Sequence, residues 1–175
     1  VLAAAGLVWA MAVAAMLPVS AQNISDPDNK HNLASTATNA IKSTGQAEIC
    51  IFCHAPHNTL LTTPLWTQTL SSATSTPYTS STMAAAPGAP TGSSKLCLSC
   101  HDGTIAMGST TSGSFPVSGT GTTSGALSNV SKLGTQLGDD HPISFVPITG
   151  SRIVNPPNGS SVKLDTAGQV QCVSC

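Results

Sequence analysis

The strings CIFCH at residues 50–54 and CLSCH at residues 97–101 share the pattern Cys-x-x-Cys-His, and CVSC at residues 172–175 repeats the cysteine spacing. Two residues between the cysteines, on a helical turn, let both sulfurs reach one edge of a porphyrin, and the next residue presents an imidazole from the same side. Cys-x-x-Cys-His is the attachment sequence of c-type haem. The pattern therefore predicts two complete haem c sites and a third that stops at Cys175.

Each site divides into attachment cysteines and a proximal iron ligand. The expected cofactor-binding residues are Cys50, Cys53 and His54 at the first site, Cys97, Cys100 and His101 at the second, and Cys172 and Cys175 at the third. We expect a histidine to follow Cys175, so that the given chain is truncated at its C-terminus.

Other uses of paired cysteines explain the motifs less well. A zinc ribbon takes four thiolates from two neighbouring pairs and leaves the adjacent histidines unexplained. A thioredoxin-like redox pair needs one motif in a βαβ setting, which the sequence lacks. A disulfide within one pair closes a loop too short to add much stability.

Three further histidines, His31, His57 and His141, match the number of haem sites. Each iron needs a sixth ligand, so these imidazoles predict bis-histidine coordination, which is closed to substrate and suits electron transfer. Met83 and Met107 are the alternative ligands. We expect His54, His101, His31, His57 and His141 to bind iron, and we expect no catalytic residue.

His57 follows His54 by three residues. His54 is tied to one face of its haem through Cys53, and so short a link cannot pass around the porphyrin edge. If His57 binds iron, it therefore binds a neighbouring haem, which places two haems close together.

The composition leaves little material for an ordinary core. Aromatic residues make up 3% of the 175 residues and charged residues 7%, and long Ser-, Thr- and Gly-rich stretches separate the motifs. So little apolar area does not outweigh conformational entropy unaided, so a cofactor must supply the core. The predicted fold is mostly irregular coil with a few short α-helices at the motifs and haems as the core.

Local signals place those helices. Thr44 or Gly45 begins a turn that reaches His54, and Ser94 caps a helix that ends before Gly103. Residues 166–169 resemble a capping box before Cys172. A strand fragment is expected at residues 143–146.

Residues 1–21 are apolar, uncharged and end in Val-Ser-Ala, which predicts a signal peptide that is incomplete at its N-terminus. A membrane anchor is the alternative. Residues 22–175 then form one exported multihaem domain. The net charge of −1 gives no basic field for nucleic acid.

Several strings together resemble the multihaem c-type cytochromes with repeated Cys-x-x-Cys-His motifs from metal-reducing and related bacteria. They are ICIFCHAPHNT (49–59), PLW (64–66), YTSSTM (78–83), SKLCLSCHDGTIAMGS (94–109) and DHPISF (140–145). The resemblance implies electron transfer in the periplasm, at the outer-membrane surface or outside the cell, to redox partner proteins or extracellular acceptors. Some similar cytochromes form filaments, so a homopolymer in which His31 or another spare histidine binds a neighbouring subunit's haem is implied by analogy alone.

We therefore expect a non-enzymatic electron carrier. A multihaem oxyanion reductase is one alternative, but it needs an open iron position and a cationic cluster, and Arg152 is the sole arginine. A zinc-binding Cys-x-x-Cys module is the other.

Overall fold

The computed structural model describes residues 23–55, 65–150, 156–157 and 160–174. The predicted signal peptide, His57 and Cys175 lie outside these residues. Most of the described chain is irregular. Its regular elements are β1 (Lys42–Ser43), a 3₁₀ helix (Cys50–Phe52), α1 (Gly92–His101), β2 (Ser109–Thr110), β3 (Gly113–Ser114) and β4 (Val117–Ser118).

Two small antiparallel sheets connect distant parts of the chain. In the first sheet β1 pairs with β4, with Lys42 opposite Ser118 and Ser43 opposite Val117. The buried Ser43 hydroxyl strengthens this join by donating to the Pro116 carbonyl at 3.1 Å. The second sheet is the β2–β3 hairpin. The first sheet therefore fastens the N-terminal segment to the middle of the chain.

Helix α1 carries the second motif and begins earlier than the sequence suggests. Its N-cap is Thr91, whereas Ser94, the expected cap, lies inside the first turn. Gly103 follows the helix with φ +72°, and a Cβ there would lie 2.8 Å from the Leu127 carbonyl oxygen. Glycine is required at this position because it adopts the left-handed conformation and admits the close approach.

The first motif forms a tighter turn than an α-helix. The Cys50 carbonyl accepts hydrogen bonds from the amides of Cys53 at 3.1 Å and His54 at 2.8 Å. Two successive amides on one carbonyl close a single helical turn, which brings Cys53 and His54 to the same face as Cys50.

No helix forms before Cys172 in the described residues, which corrects the expectation of a helix at the third motif. The Asp165 carboxylate instead accepts hydrogen bonds from the amides of Ala167 at 2.9 Å and Gln169 at 2.8 Å. A side chain that binds its own backbone in this way competes with a helix, and Gly168 with φ +73° completes the turn. The strand expected at residues 143–146 is reduced to a single bridge between Phe145 and Val170.

The described interior contains little apolar volume. Four of its buried apolar residues are alanines. The buried apolar residues are Leu33, Ala34, Ala37, Phe52, Ala55, Leu98, Ala126, Leu127 and Leu137. Many polar residues are buried beside them, and these are held by hydrogen bonds rather than by packing. Within the described ranges, no helix has the length and apolar character needed to cross a membrane.

Candidate functional site

A cavity of about 470 Å³ lies between helix α1 and the N-terminal segment. Its wall contains Cys97, Cys100 and His101 from the second motif, Cys53 from the first motif, and His31. The cavity falls within the range of roughly 300–1,000 Å³ that is usual for small-molecule and cofactor sites. The structure therefore gathers residues of two motifs and a distant histidine around one space.

The remaining wall is largely apolar. It includes Leu33, Ile41, Phe52, Trp66, Leu96, Met107 and Leu127. Phe52 is buried and packs edge-on against Phe115, with ring centroids 6.0 Å apart. Such a wall suits a large apolar ring system with polar groups at its margin.

Helix geometry explains why the second motif faces this cavity as a unit. Cys97, Cys100 and His101 stand at positions i, i+3 and i+4 of α1, which share one face of a helix. Leu98 and Ser99 lie on the opposite side and are buried in the protein. The motif spacing therefore directs both thiols and the imidazole to the same side.

The His101 ring is oriented by a second contact. Its Nδ1 lies 2.7 Å from the Ser131 carbonyl oxygen and donates to it. That bond sets the tautomer in which Nε2 carries the lone pair, which is the arrangement seen in metal-binding histidines. His101 is therefore prepared to bind a metal through Nε2.

His31 faces His101 across the cavity. The two ring centroids lie 6.1 Å apart and the rings are inclined by 62°. One metal ion held in line between two imidazoles, with bonds of about 2.0–2.1 Å, requires centroids about 6 Å apart. The observed separation is close to this distance, so His31 is the candidate second ligand for a metal bound by His101.

The first motif meets the same cavity through Cys53. Its His54 pairs with Trp66 through a backbone bridge, and the two rings lie 6.5 Å apart at 85°. Trp66 Nε1 is the one side-chain polar atom, among those described, that is buried without a hydrogen-bond partner. Trp66 lines the cavity, but this N–H is buried in the protein and does not open into the cavity.

Lys30 supplies a positive charge at the same wall, where its Nζ lies 3.3 Å from Asn39 Oδ1. A haem carries two carboxylates, which the Lys30 ammonium can complement. The apolar wall, the two imidazoles and Lys30 fit a haem, which Cys97 and Cys100 would attach.

The electrostatics of the thiols follow from their crowding. Burial raises the pKa of Cys53, with a further contribution from Cys50. Burial also raises the pKa of Cys100 to about 11, and the nearby Cys53 adds to the shift. Both thiols are therefore protonated at neutral pH, and the first and second motifs lie close to each other.

Cys172, the described member of the third cysteine pair, lies beside the second motif. The Cys172 amide donates to the Ser94 hydroxyl at 3.0 Å. The thiol of Cys97 donates a hydrogen bond to Cys172, which raises the pKa of Cys97 and lowers that of Cys172. The second motif therefore has the first motif beside Cys100 and the third beside Cys97.

His141 lies elsewhere. It lines a separate cavity of about 530 Å³ together with Tyr78, Met83, Phe145 and Ile148. Met83 and Met107 are the alternative ligands. Met83 lines the same cavity as His141, whereas Met107 lines the cavity that contains His31 and His101. His141 is therefore not a partner for His101.

Nothing in the sequence indicated that Ser131 contributes to this site. Ser131 is separated from His101 by 30 residues and acts through its backbone carbonyl, which any residue type could provide. In the described part of the chain, no group of three or more His, Cys, Asp or Glu side chains is placed to hold a bare metal ion. A four-thiolate site built from the second and third pairs would also need Cys175, which lies outside that part.

No protein-family model matches the sequence, and no curated protein matches it.

Proposed function

We propose that this chain is an exported multihaem c-type cytochrome that relays electrons and catalyses no reaction of its own. One observation supports the proposal most strongly. The rings of His31 and of His101, the histidine of the second motif, lie 6.1 Å apart between centroids, and both line a cavity of about 470 Å³. Haem iron would supply one-electron chemistry by alternating between the ferric and ferrous states.

The chain's own residues then have three tasks. Cys97 and Cys100 would anchor the cofactor, and His101 and His31 would bind its iron. The apolar wall limits the access of water, which tunes the potential. A closed coordination sphere favours electron transfer over substrate binding.

The first and third motifs extend the proposal to further haems. Cys50, Cys53 and His54 would hold one, and Cys172 with Cys175 would hold another. His57 and His141 remain the proposed distal ligands at these sites. The proposed location is the periplasm, the outer-membrane surface or the cell exterior, where the partners are redox proteins or extracellular acceptors.

One observation favours a zinc module as the second candidate. The contact between Cys97 and Cys172 brings two Cys-x-x-Cys pairs together, as in a zinc ribbon. A zinc ribbon would leave the contact between His31 and His101 without a purpose, so we rank it below the haem proposal.

A pyridine haemochrome assay with metal analysis separates the two candidates. We expect at least two c-type haems per chain, a low-spin spectrum and no stoichiometric zinc. Zinc without haem would reject the proposal. High-spin features with carbon monoxide binding in the intact protein would favour the oxyanion reductase instead.

A further inference from the structure

Gln171, which precedes the third cysteine pair, is a buried polar residue that the haem motifs do not explain. Only 2% of it is exposed. Both ends of its side-chain amide are engaged by residues from distant parts of the chain. A buried amide that is fully paired in this way holds its surroundings in one arrangement.

The oxygen of this amide connects the third segment to helix α1. Gln171 Oε1 accepts from the Ser94 amide and from the Ser144 hydroxyl, each at 3.3 Å. Ser94 in turn accepts the Cys172 amide through its hydroxyl. One residue of α1 thus binds both Gln171 and its neighbour in the chain.

The nitrogen of the amide fixes Gln171 from the other side. Nε2 donates to Asp165 Oδ2 at 2.8 Å, and lies 3.3 Å from Thr91 Oγ1 and from Gln169 Oε1. Asp165 itself is held by the amides of its turn. The turn at residues 165–169 therefore holds the amide nitrogen of Gln171, while α1 holds its oxygen.

This arrangement determines where Cys172 lies. Ser94 and Cys97 are three residues apart on α1 and share a helix face. Anchoring Gln171 and Cys172 to Ser94 places Cys172 on the side of α1 that carries Cys97. The two thiols are close enough there to shift each other's pKa.

We propose that Gln171 is a positioning residue that holds Cys172 against the second motif, so that a haem attached at Cys172 would adjoin a haem attached at Cys97. The proposal rests on the proposed haem function. It makes the second motif the middle member of the series, with the first motif at its Cys100 side.

The decisive variant is Gln171→Glu in the holoprotein. It keeps the shape of the side chain but replaces the donor to Asp165 with a second carboxylate. Adding Asp165→Asn restores a donor opposite the introduced carboxylate, with donor and acceptor exchanged. Gln136→Glu makes the same change at an exposed glutamine and serves as the control.

The readout is magnetic interaction between ferric haems in electron paramagnetic resonance, with the haem count measured in parallel. We expect coupled signals in the wild type, weaker coupling of the haem at Cys97 in Gln171→Glu, recovery in the double variant and no change in Gln136→Glu. A Gln171→Glu protein that melts at a lower temperature but keeps full coupling would overturn the proposal.

A second comparison covers the case in which Gln171→Glu does not fold. Replacing Cys172 and Cys175 with alanine removes the third haem. The haem at Cys97 should then lose the part of its coupling that comes from the third haem and keep its coupling to the haem of the first motif. An unchanged signal would also overturn the proposal. Absence of haem from the wild type would instead contradict the proposed function, so the two failures are distinguishable.

Discussion

The His101 ring makes two contacts, one with the backbone and one with another imidazole. Nδ1 donates to the Ser131 carbonyl, and the ring faces His31 across the cavity. A histidine with one nitrogen satisfied by the backbone has the other free for a metal. At the scale of single residues, the proposal therefore depends on His31 as much as on the motif.

Removing the His31 imidazole tests this dependence. In His31→Ala we expect an unchanged haem count, because attachment relies on Cys97 and Cys100. About one haem per chain should become high-spin and bind carbon monoxide, since an open axial position admits small ligands. Optical spectra of the ferric and carbon monoxide forms measure both effects.

His31→Met is the matched control, because a thioether can also bind iron. It should stay closed to carbon monoxide, and the potential of one haem should rise, since methionine ligation favours the ferrous state. A His31→Ala protein that remains low-spin and unreactive would show that another residue completes this site.

The 3₁₀ helix joins the first motif to the cavity wall through Phe52, which is 3% exposed. We expect Phe52→Ala to lower the free energy of unfolding by about 3–5 kcal/mol, the usual cost of deleting a buried aromatic ring. Denaturant titration of the holoprotein measures the change.

Val130→Ala is the control, because Val130 is fully exposed. Its effect should stay within about 0.5 kcal/mol of zero. Equal effects of the two substitutions would mean that Phe52 is not part of a packed wall.

The turn at residues 165–169 gives the third segment a pH dependence. The Gln169 amide, with smaller contributions from the Gln171 side chain and the Ala167 amide, lowers the pKa of Asp165 below its ordinary value of 3.8. The folded state therefore prefers the ionised carboxylate. Its contribution is present above pH 3.8 and is lost as the pH falls through the lower, folded-state pKa.

Asp165→Asn isolates this contribution. The stability difference between wild type and variant should favour the wild type at about pH 6 and shrink as the pH falls below 3.8, the ordinary pKa of the carboxyl. Denaturant midpoints measured at a series of pH values test the trend. A difference that grows on acidification would contradict the sign.

These elements also show what sequence reasoning could and could not supply. The helix over the second motif was predictable because its cues are local. Ser94 was expected as a cap, but its hydroxyl binds Cys172, which is 78 residues away. The third helix was wrongly expected because Asp165 forms a competing turn. No local pattern indicates that His31 faces His101, which lies far along the chain.

At the scale of the whole molecule, the described interior is polar and thinly packed. We expect the chain produced without haem attachment to be largely disordered, because its buried apolar area does not outweigh the loss of chain entropy. Circular dichroism of apo-protein and holoprotein tests this. An apo form with a cooperative thermal transition would show that the chain folds without a cofactor core.

The central claim is covalent haem at the cysteine pairs, and intact mass spectrometry with peptide mapping tests it most directly. The account predicts a mass increase by a whole number of haems, carried by the peptides that contain Cys50 with Cys53 and Cys97 with Cys100. A mature polypeptide whose mass equals that of its amino acids alone would contradict it.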